Sequence, residues 1–233
     1  MLTKIIWSWE LPEYIDGTAV VCDAWGATTN ISTLLAKEVK ELFIVNKDNV
    51  EKAKDRYKDS LVIGESMALP KNFFDVSNYP YDVSKAEAKD KTVLFMSSNG
   101  SRVIELAFKK KAKKVLTVSF SNLRSMGKYL KNSKENIYLI PSGENSISDP
   151  KVIEDLICVE DLDKIIKGET VELKRSHDLA KAFIRKIYGH QNFDQEANFE
   201  VVFNMKNLDV IPICSWEKDG WIRIRNVNAL FFE

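Results

Sequence analysis

Short apolar runs alternate with amphipathic segments along most of this 233-residue chain. Thr18 to Cys22 (TAVVC) is apolar and β-branched, and the following segment from Thr28 to Val39 carries apolar residues at helical spacing. Further strand-like runs occur at residues 42–45, 61–63, 92–96, 115–118 and 137–140. Because strands separated by helices usually pair in parallel, the pattern predicts an α/β fold with a mainly parallel sheet and helices on both faces.

The C-terminal part has a different pattern. Two helical stretches are predicted at about residues 176–187 and 194–205, and they lead into a strand at 210–214. The Asp219-Gly220 pair before WIRIR predicts a hairpin turn. We therefore expect a C-terminal helical segment and hairpin after the alternating region.

The length suits one α/β domain spanning residues 1–233. The segments AVVCDAWGATTN (19–30) and TVLFMSSN (92–99) both run from a buried strand into hydroxyl residues and an asparagine. This echo suggests two similar halves, 1–90 and 91–233, although any α/β protein repeats strand, turn and helix. Residues 65–82 lack periodicity and predict a long loop, which is uncommon unless the loop has a function.

Composition narrows the function. Lys plus Arg and Asp plus Glu both number 34, so no net positive charge is available to attract nucleic acid. No apolar run reaches the roughly 18 residues of a membrane helix, and the N-terminus does not resemble a signal peptide. The scattered thiols of Cys22, Cys158 and Cys214 favour a reducing compartment. We expect a cytoplasmic protein that binds neither nucleic acid nor membrane, and a homo-oligomer stays open.

Three turns between a strand and a helix are candidates for anion binding. They are Asp23 to Asn30, Ser97 to Arg102 and Ser142 to Ser146, each after a predicted strand. Ligands of open α/β sheets bind at this edge, and helix N-termini offer free N–H groups to phosphate or sulfonate. The alternative is that these hydroxyl and amide side chains are ordinary helix caps.

Carboxylates near the same strand ends could bind a metal. Asp23, Glu65, Asp75 and Glu144 follow strands or lie in the long loop. Mg²⁺ prefers oxygen ligands and needs only one or two carboxylates besides substrate and water. The alternative is that Asp23 and Glu144 cap helices and that Asp75 holds its own loop.

Other acidic and basic groups are weaker candidates. Glu154 and Asp155 lie in a predicted helix, where a solvated face is the expected explanation. His177 and His190 are too far apart in sequence to suggest a histidine metal site. Trp25 occupies the position two residues after Asp23, where phosphatases of the haloacid-dehalogenase type need a second aspartate.

Taken in order, the motifs resemble those of the 2-phosphosulfolactate phosphatase family over about residues 10–215. The matching segments are DAWGATTN (23–30), GES (64–66), FDVSNYP (74–80), SSNGSR (97–102), SGENSIS (142–148), EDLIC (154–158) and LDVIPI (208–213). The resemblance implies magnesium-dependent hydrolysis of 2-phospho-3-sulfolactate, a step toward coenzyme M.

The resemblance also implies roles for particular residues. Asp23 and Glu65 would be the catalytic pair, and the metal would be held by Asp23 and Glu65 with Asp75 or Glu144. The small phosphorylated or sulfonated acid would be bound by Thr28, Thr29, Ser98, Asn99, Gly100, Arg102, Ser142 and Gly143. The sequence assigns no nucleophile.

Two positions depart from the family pattern. Gly26 and Ser66 stand where the family has arginines, whereas Arg102 is present. Since arginine binds phosphate and sulfonate with two parallel hydrogen bonds, we expect a less charged phosphoester as substrate. The competing hypothesis is a non-catalytic protein that binds a small anion or a partner.

Overall fold

The computed structural model describes residues 2–65, 69–143, 153–188 and 194–227. Its strands are β1 (Thr3–Ile5), β2 (Thr18–Cys22), β3 (Glu41–Ile44), β4 (Leu61–Gly64), β5 (Thr92–Met96), β6 (Lys114–Val118), β7 (Ile137–Pro141), β8 (Pro212–Trp216) and β9 (Ile222–Asn226). Its α-helices are α1 (Ala27–Ala36), α2 (Val50–Arg56), α3 (Pro80–Lys85), α4 (Gly100–Lys109), α5 (Leu123–Leu130), α6 (Ile153–Lys167), α7 (Leu173–Tyr188) and α8 (Gln195–Val202). The predicted α/β fold is confirmed.

The described strands form one sheet in the order β1-β7-β2-β6-β8-β9-β3-β5-β4. Strands β1, β7, β2 and β6 are parallel to one another, and so are β3, β5 and β4. The hairpin β8–β9 joins these two blocks through antiparallel pairs. The predicted hairpin is therefore present, but it fills the centre of the sheet.

The parallel blocks exchange their central strands. β2 lies between β6 and β7, whereas β5 lies between β3 and β4. The block β3-β5-β4 thus contains one strand from the second half of the sequence, and the block β1-β7-β2-β6 contains two strands from each half. Three antiparallel pairs separate the blocks, so the strands of one block run opposite to those of the other. In a wholly parallel sheet β2 and β5 would end at the same edge, whereas here their directions alone place their ends at opposite edges.

Sheet twist explains how the ends of β2 and β5 can still approach each other. Five steps separate them in the strand order. A twist of about 20–25° per strand turns the strand direction by roughly 100–125° over that distance. Helices α1 and α4, which follow these two strands, pack together on one face of the sheet.

Two asparagines make matching hydrogen bonds in the two blocks. The Asn122 side chain accepts from the backbone amide three residues earlier at 2.8 Å and donates to the Val210 carbonyl at 3.2 Å. The Asn49 side chain likewise accepts from the amide three residues earlier at 2.8 Å and donates to the Gly220 carbonyl at 2.9 Å. Val210 and Gly220 each lie two residues before a hairpin strand, so each asparagine ties one block to the hairpin.

Helices cover both faces of the sheet. Ala19 and Val21 of β2 face the core formed with α1 and α4, whereas Val20 and Cys22 face the core formed with α5 to α8. This alternation follows the two-residue period of a strand. None of the described helices is both long and apolar enough to cross a membrane.

The region predicted as a long loop contains regular structure. A 3-10 turn spans Lys71–Phe73, and α3 begins at Pro80. Proline suits the first turn of a helix because its missing N–H would have no partner there. The expectation of a structureless segment up to residue 82 was wrong for this part.

Candidate active site

The turn between β2 and α1 is held by two threonine hydroxyls. Thr28 Oγ1 donates to the Asp23 carbonyl at 2.8 Å and accepts from the Asp23 amide at 3.0 Å. Thr29 Oγ1 donates to the Ala24 carbonyl at 2.7 Å. Both threonines are fully buried, so their hydroxyls shape the turn. Direct contact of these two side chains with a substrate stays a prediction.

Asp23 joins this turn to the start of α4. The Gly100 amide donates to Asp23 Oδ2 at 2.8 Å. A Cβ atom at position 100 would lie 2.5 Å from Asp23 Oδ2 and 2.7 Å from the Ala27 Cβ. Only glycine therefore allows α4 to begin this close to the carboxylate.

Asp155 joins the same turn to the end of β7. Its Oδ1 accepts from the Ala24 amide at 2.7 Å, and its Oδ2 accepts from the Ser142 hydroxyl at 2.9 Å and amide at 3.2 Å. The expectation that Glu154 and Asp155 lie on a solvated face was wrong, because both are buried. An aspartate can be buried here because backbone and hydroxyl donors surround its carboxylate.

A third set of contacts completes the cluster. Asn99 Nδ2 donates to Ser142 Oγ at 3.3 Å, and an Arg102 guanidinium nitrogen lies 3.4 Å from Asn99 Oδ1. From the N-terminal segment, Ser8 Oγ donates to the Gly143 carbonyl at 3.1 Å. The turns after β2, β5 and β7 thus meet in one place, whereas the predicted ligand Glu144 lies outside the described residues.

The carboxylates of Asp23 and Asp155 have raised pKa values. Burial, with a smaller contribution from the Glu65 charge, raises the pKa of Asp23 to about 6, although hydrogen bonds from the Gly100, Ala27 and Gly26 amides oppose this shift. Burial and the Asp23 charge raise the pKa of Asp155 well above its usual value. Like charges held out of water favour protonation or a bound cation.

Glu65 and Ser98 line a cleft beside the cluster. The cleft has a volume of about 270 Å³ and is also lined by Arg102. Both Glu65 and Ser98 are exposed. Among the described residues, none forms a hydrogen bond or an ion pair with the Glu65 carboxylate.

Asp75 lies in a different environment. Its Oδ2 accepts from the Val62 amide at 2.8 Å, and its own amide donates to the Val62 carbonyl at 2.9 Å. These bonds fasten the segment after the 3-10 turn to β4. They match the alternative that Asp75 holds its own loop, and a role as a metal ligand stays a prediction.

The described part of the chain contains no group of three or more His, Cys, Asp or Glu side chains arranged to hold a metal ion. A complete protein-only metal cage is therefore absent from these residues. Asp23 lies where the turns meet, and the charge of Glu65 is one of the causes that raise the Asp23 pKa.

Comparison of the sequence with known proteins identifies the family of this chain. The sequence profile of the 2-phosphosulpholactate phosphatase family matches residues 8–213. The chain belongs to this family. A probable 2-phosphosulfolactate phosphatase of Clostridium tetani is 30% identical over 221 residues, which cover 89% of this chain and 92% of the relative.

Two further relatives carry the same name. One, from Clostridium perfringens strain SM101, is 29% identical over 216 residues, which cover 87% of this chain and 85% of the relative. The other, from Thermotoga petrophila, is 35% identical over 128 residues, which cover 55% and 54%. The family profile, over residues 8–213, includes all three turns of the cluster.

The sequence pattern missed two residues of the candidate site. Asp155 resembled a surface acid because its neighbour Glu154 is also charged. The sequence does contain one indication that Asp155 is buried. In the segment EDLIC, the apolar residues Ile157 and Cys158 lie three positions after Glu154 and Asp155, on the same face of the helix. Ser8 carries no signal in sequence, because its hydroxyl reaches Gly143 across 135 positions.

Proposed function

We propose that this protein is a magnesium-dependent phosphatase that hydrolyses a small acidic phosphoester of the 2-phosphosulfolactate type. The observation that carries the proposal is the buried carboxylate of Asp23, which lies where the three turns meet, accepts from the Gly100 amide, and has a pKa raised by burial and by the Glu65 charge. Neither carboxylate forms an ion pair with a described lysine or arginine. A cation is the missing partner of such a pair.

The donor chemistry fits Mg²⁺. Asp23 and Glu65 offer carboxylate oxygens, and Ser98 and Asn99 add hydroxyl and amide oxygens beside them. Hard divalent cations bind such oxygens, and Mg²⁺ usually keeps several waters and uses one or two carboxylates. Asp23 and Glu65 would hold the ion, and when bound it would polarise a phosphoryl oxygen.

The chain's own residues would position the phosphoester. The Gly100 amide at the start of α4 points into the cluster, and a helix N-terminus favours an anion. Arg102 makes no ion pair with a described acid and supplies a fixed positive charge. The Asn99 amide, held by Ser142, is aligned by a contact within the protein before any ligand arrives. This prior alignment lowers the cost of ordering the site.

Asp155 is a positioning residue in this account. It binds the backbone on both sides of the site, at Ala24 and at Ser142. Its carboxylate is enclosed by these donors, so it has no direct route to the substrate. Its role is to fix the distance between the turns that carry Asp23 and Asn99.

The absent family arginines bear on the substrate. A Cβ atom at position 26 would lie 2.9 Å from Asp23 Oδ1. Any side chain there requires Asp23 to shift, so glycine belongs to the observed position of this carboxylate. We infer that the substrate carries less negative charge than the family's own, or that other cations of this chain replace the arginines.

Phosphate release from a panel of phosphoesters tests the proposal. The panel contains 2-phosphosulfolactate, 2-phospholactate and phenyl phosphate, each with Mg²⁺ and with a chelator. We expect Mg²⁺-dependent release that falls at least about 100-fold in Asp23→Asn and remains in the control Asp59→Asn, an exposed acid. Absence of release from every compound would favour the non-catalytic anion-binding hypothesis and reject the enzyme.

A further inference from the structure

The cleft beside Glu65 is formed by five parts of the fold. Its walls are the ends of β3, β4 and β5, the first turns of α4 and the β8–β9 hairpin near its turn. Its volume of about 270 Å³ exceeds what a phosphate group needs. The cleft adjoins the proposed cation site through Glu65, so a substrate whose phosphate lies at that site can extend into it.

A buried hydroxyl in this cleft has no partner. Ser101 lines the cleft and is only 7% exposed, and its Oγ forms no hydrogen bond within the described residues. A buried polar atom without a partner costs about 1–3 kcal/mol. A ligand that accepts a hydrogen bond there would remove this cost.

The positively charged residues of the cleft form no ion pairs within the described residues, whereas one of its acids does. Lys47 and Arg102 line the cleft and are exposed, and neither forms an ion pair within the described parts of the chain. Glu105 also lines it, but its carboxylate is paired with Lys109 at 2.7 Å. If Glu65 serves the cation, the cleft retains two unpaired positive charges.

We propose that this cleft is the subsite for the acid group of the substrate that is not phosphate, a carboxylate or a sulfonate. Lys47 binds the acid group at the rim, and the Ser101 hydroxyl donates to it inside. This inference rests on the proposed function for the identity of the substrate. Lys47 then supplies part of the positive charge that the family's arginines would provide at positions 26 and 66.

Calorimetric binding of 3-sulfolactate, which carries both acid groups and no phosphate, tests the subsite. Lys47→Gln should raise the Kd by about tenfold, and Ser101→Ala should raise it severalfold, because each removes a hydrogen bond to a charged group. Lys128→Gln, at an exposed lysine on α5, is the matched control and should leave the Kd unchanged. Equal affinity in Lys47→Gln and the control, or no binding by the wild type, would overturn the inference.

A second titration with lactate separates the two acid groups. Loss of most affinity relative to 3-sulfolactate assigns the cleft to the sulfonate, whereas retained affinity that still depends on Lys47 assigns it to the carboxylate. Phosphate release by the wild type, measured in parallel, reports on the proposed function by itself. Binding of 3-sulfolactate without phosphate release would contradict the proposed phosphatase function and support the subsite. Phosphate release combined with no effect of Lys47→Gln on binding would support the phosphatase function and contradict the subsite.

Discussion

The Gly100 amide donates a hydrogen bond of 2.8 Å to the carboxylate of Asp23, although 77 positions separate these residues in the chain. This contact joins the exchanged strands of the two blocks, since Asp23 follows β2 and Gly100 begins α4 after β5. The proposed site therefore exists only when both halves of the sequence are folded together. Its stability and its activity should respond to the same substitutions.

Gly100→Ala should damage both properties. The new Cβ would lie 2.5 Å from Asp23 Oδ2 and 2.7 Å from the Ala27 Cβ, and α1 and α4 must move apart to admit it. Forced overpacking of this kind costs about 1–3 kcal/mol. We expect a lower Tm in thermal unfolding and a loss of phosphate release. An unchanged Tm would show that the helices do not meet this closely.

Asp155→Asn should destabilise the protein although its volume is conserved. The asparagine Nδ2 would face a backbone or hydroxyl donor that now binds Asp155. A broken buried network of this kind costs about 2–4 kcal/mol. Urea unfolding measures the loss. Glu160→Gln, on the exposed side of the same helix, is the control and should change the free energy of unfolding by no more than about 0.5 kcal/mol.

The two asparagines that hold the hairpin offer a test of the fold. Asn122 is fully buried and Asn49 is partly buried, yet each makes the same pair of bonds. Asn122→Ala should cost about 2–4 kcal/mol and Asn49→Ala about 1–2 kcal/mol, because water can replace partners only at the second site. The double variant should be additive within about 0.5 kcal/mol in urea unfolding. Strong coupling would contradict independent attachment of the two blocks.

His177 should make the protein sensitive to acid. Burial lowers the pKa of His177 to about 4, and the rings of Phe120 and Phe203 pack against it. Between about pH 6.5 and 4, His177 is protonated in the unfolded chain but stays neutral in the folded protein. Stability is thus lost as the pH falls, by at most about 1.4 kcal/mol per pH unit from this group. His177→Phe should flatten the dependence of unfolding free energy on pH in that window, and an unchanged slope would contradict this assignment.

The sequence predicts the positions of strands and helices along the chain better than the order of the strands in the sheet. Apolar runs such as Thr18–Cys22 are specified by local residue type, so their positions could be predicted. The exchange of β2 and β5 between blocks could not, because it depends on contacts far apart in the chain.

The candidate site shows the same division. Asp23 and Gly100 were predictable because each follows a strand, where ligands of α/β sheets bind. Asp155 was missed because burial of a charged residue in a helix depends on donors from two other turns. Ser101 lies within the predicted Ser97 to Arg102 turn, whereas Lys47 gave no signal in sequence, and the cleft brings the two together.

Magnesium affinity should depend on pH through Asp23. Its pKa of about 6 lies above the ordinary value of 3.8, so the carboxylate required by a cation is formed only as the pH rises through about 6. Binding of Mg²⁺ should therefore weaken by up to about tenfold per pH unit below that value. Isothermal titration at pH 5 and pH 8 measures this, and equal affinity at both would contradict a role for Asp23.

The central claim is that Asp23 and Glu65 together hold a divalent cation where the turns meet. Anomalous scattering from crystals grown with Mn²⁺, an oxygen-binding substitute for Mg²⁺, tests it most directly. The account predicts a peak within bonding distance of both carboxylates, and its loss in Asp23→Asn. A peak at Asp75 instead, or no peak near Asp23 in the wild type, would contradict it.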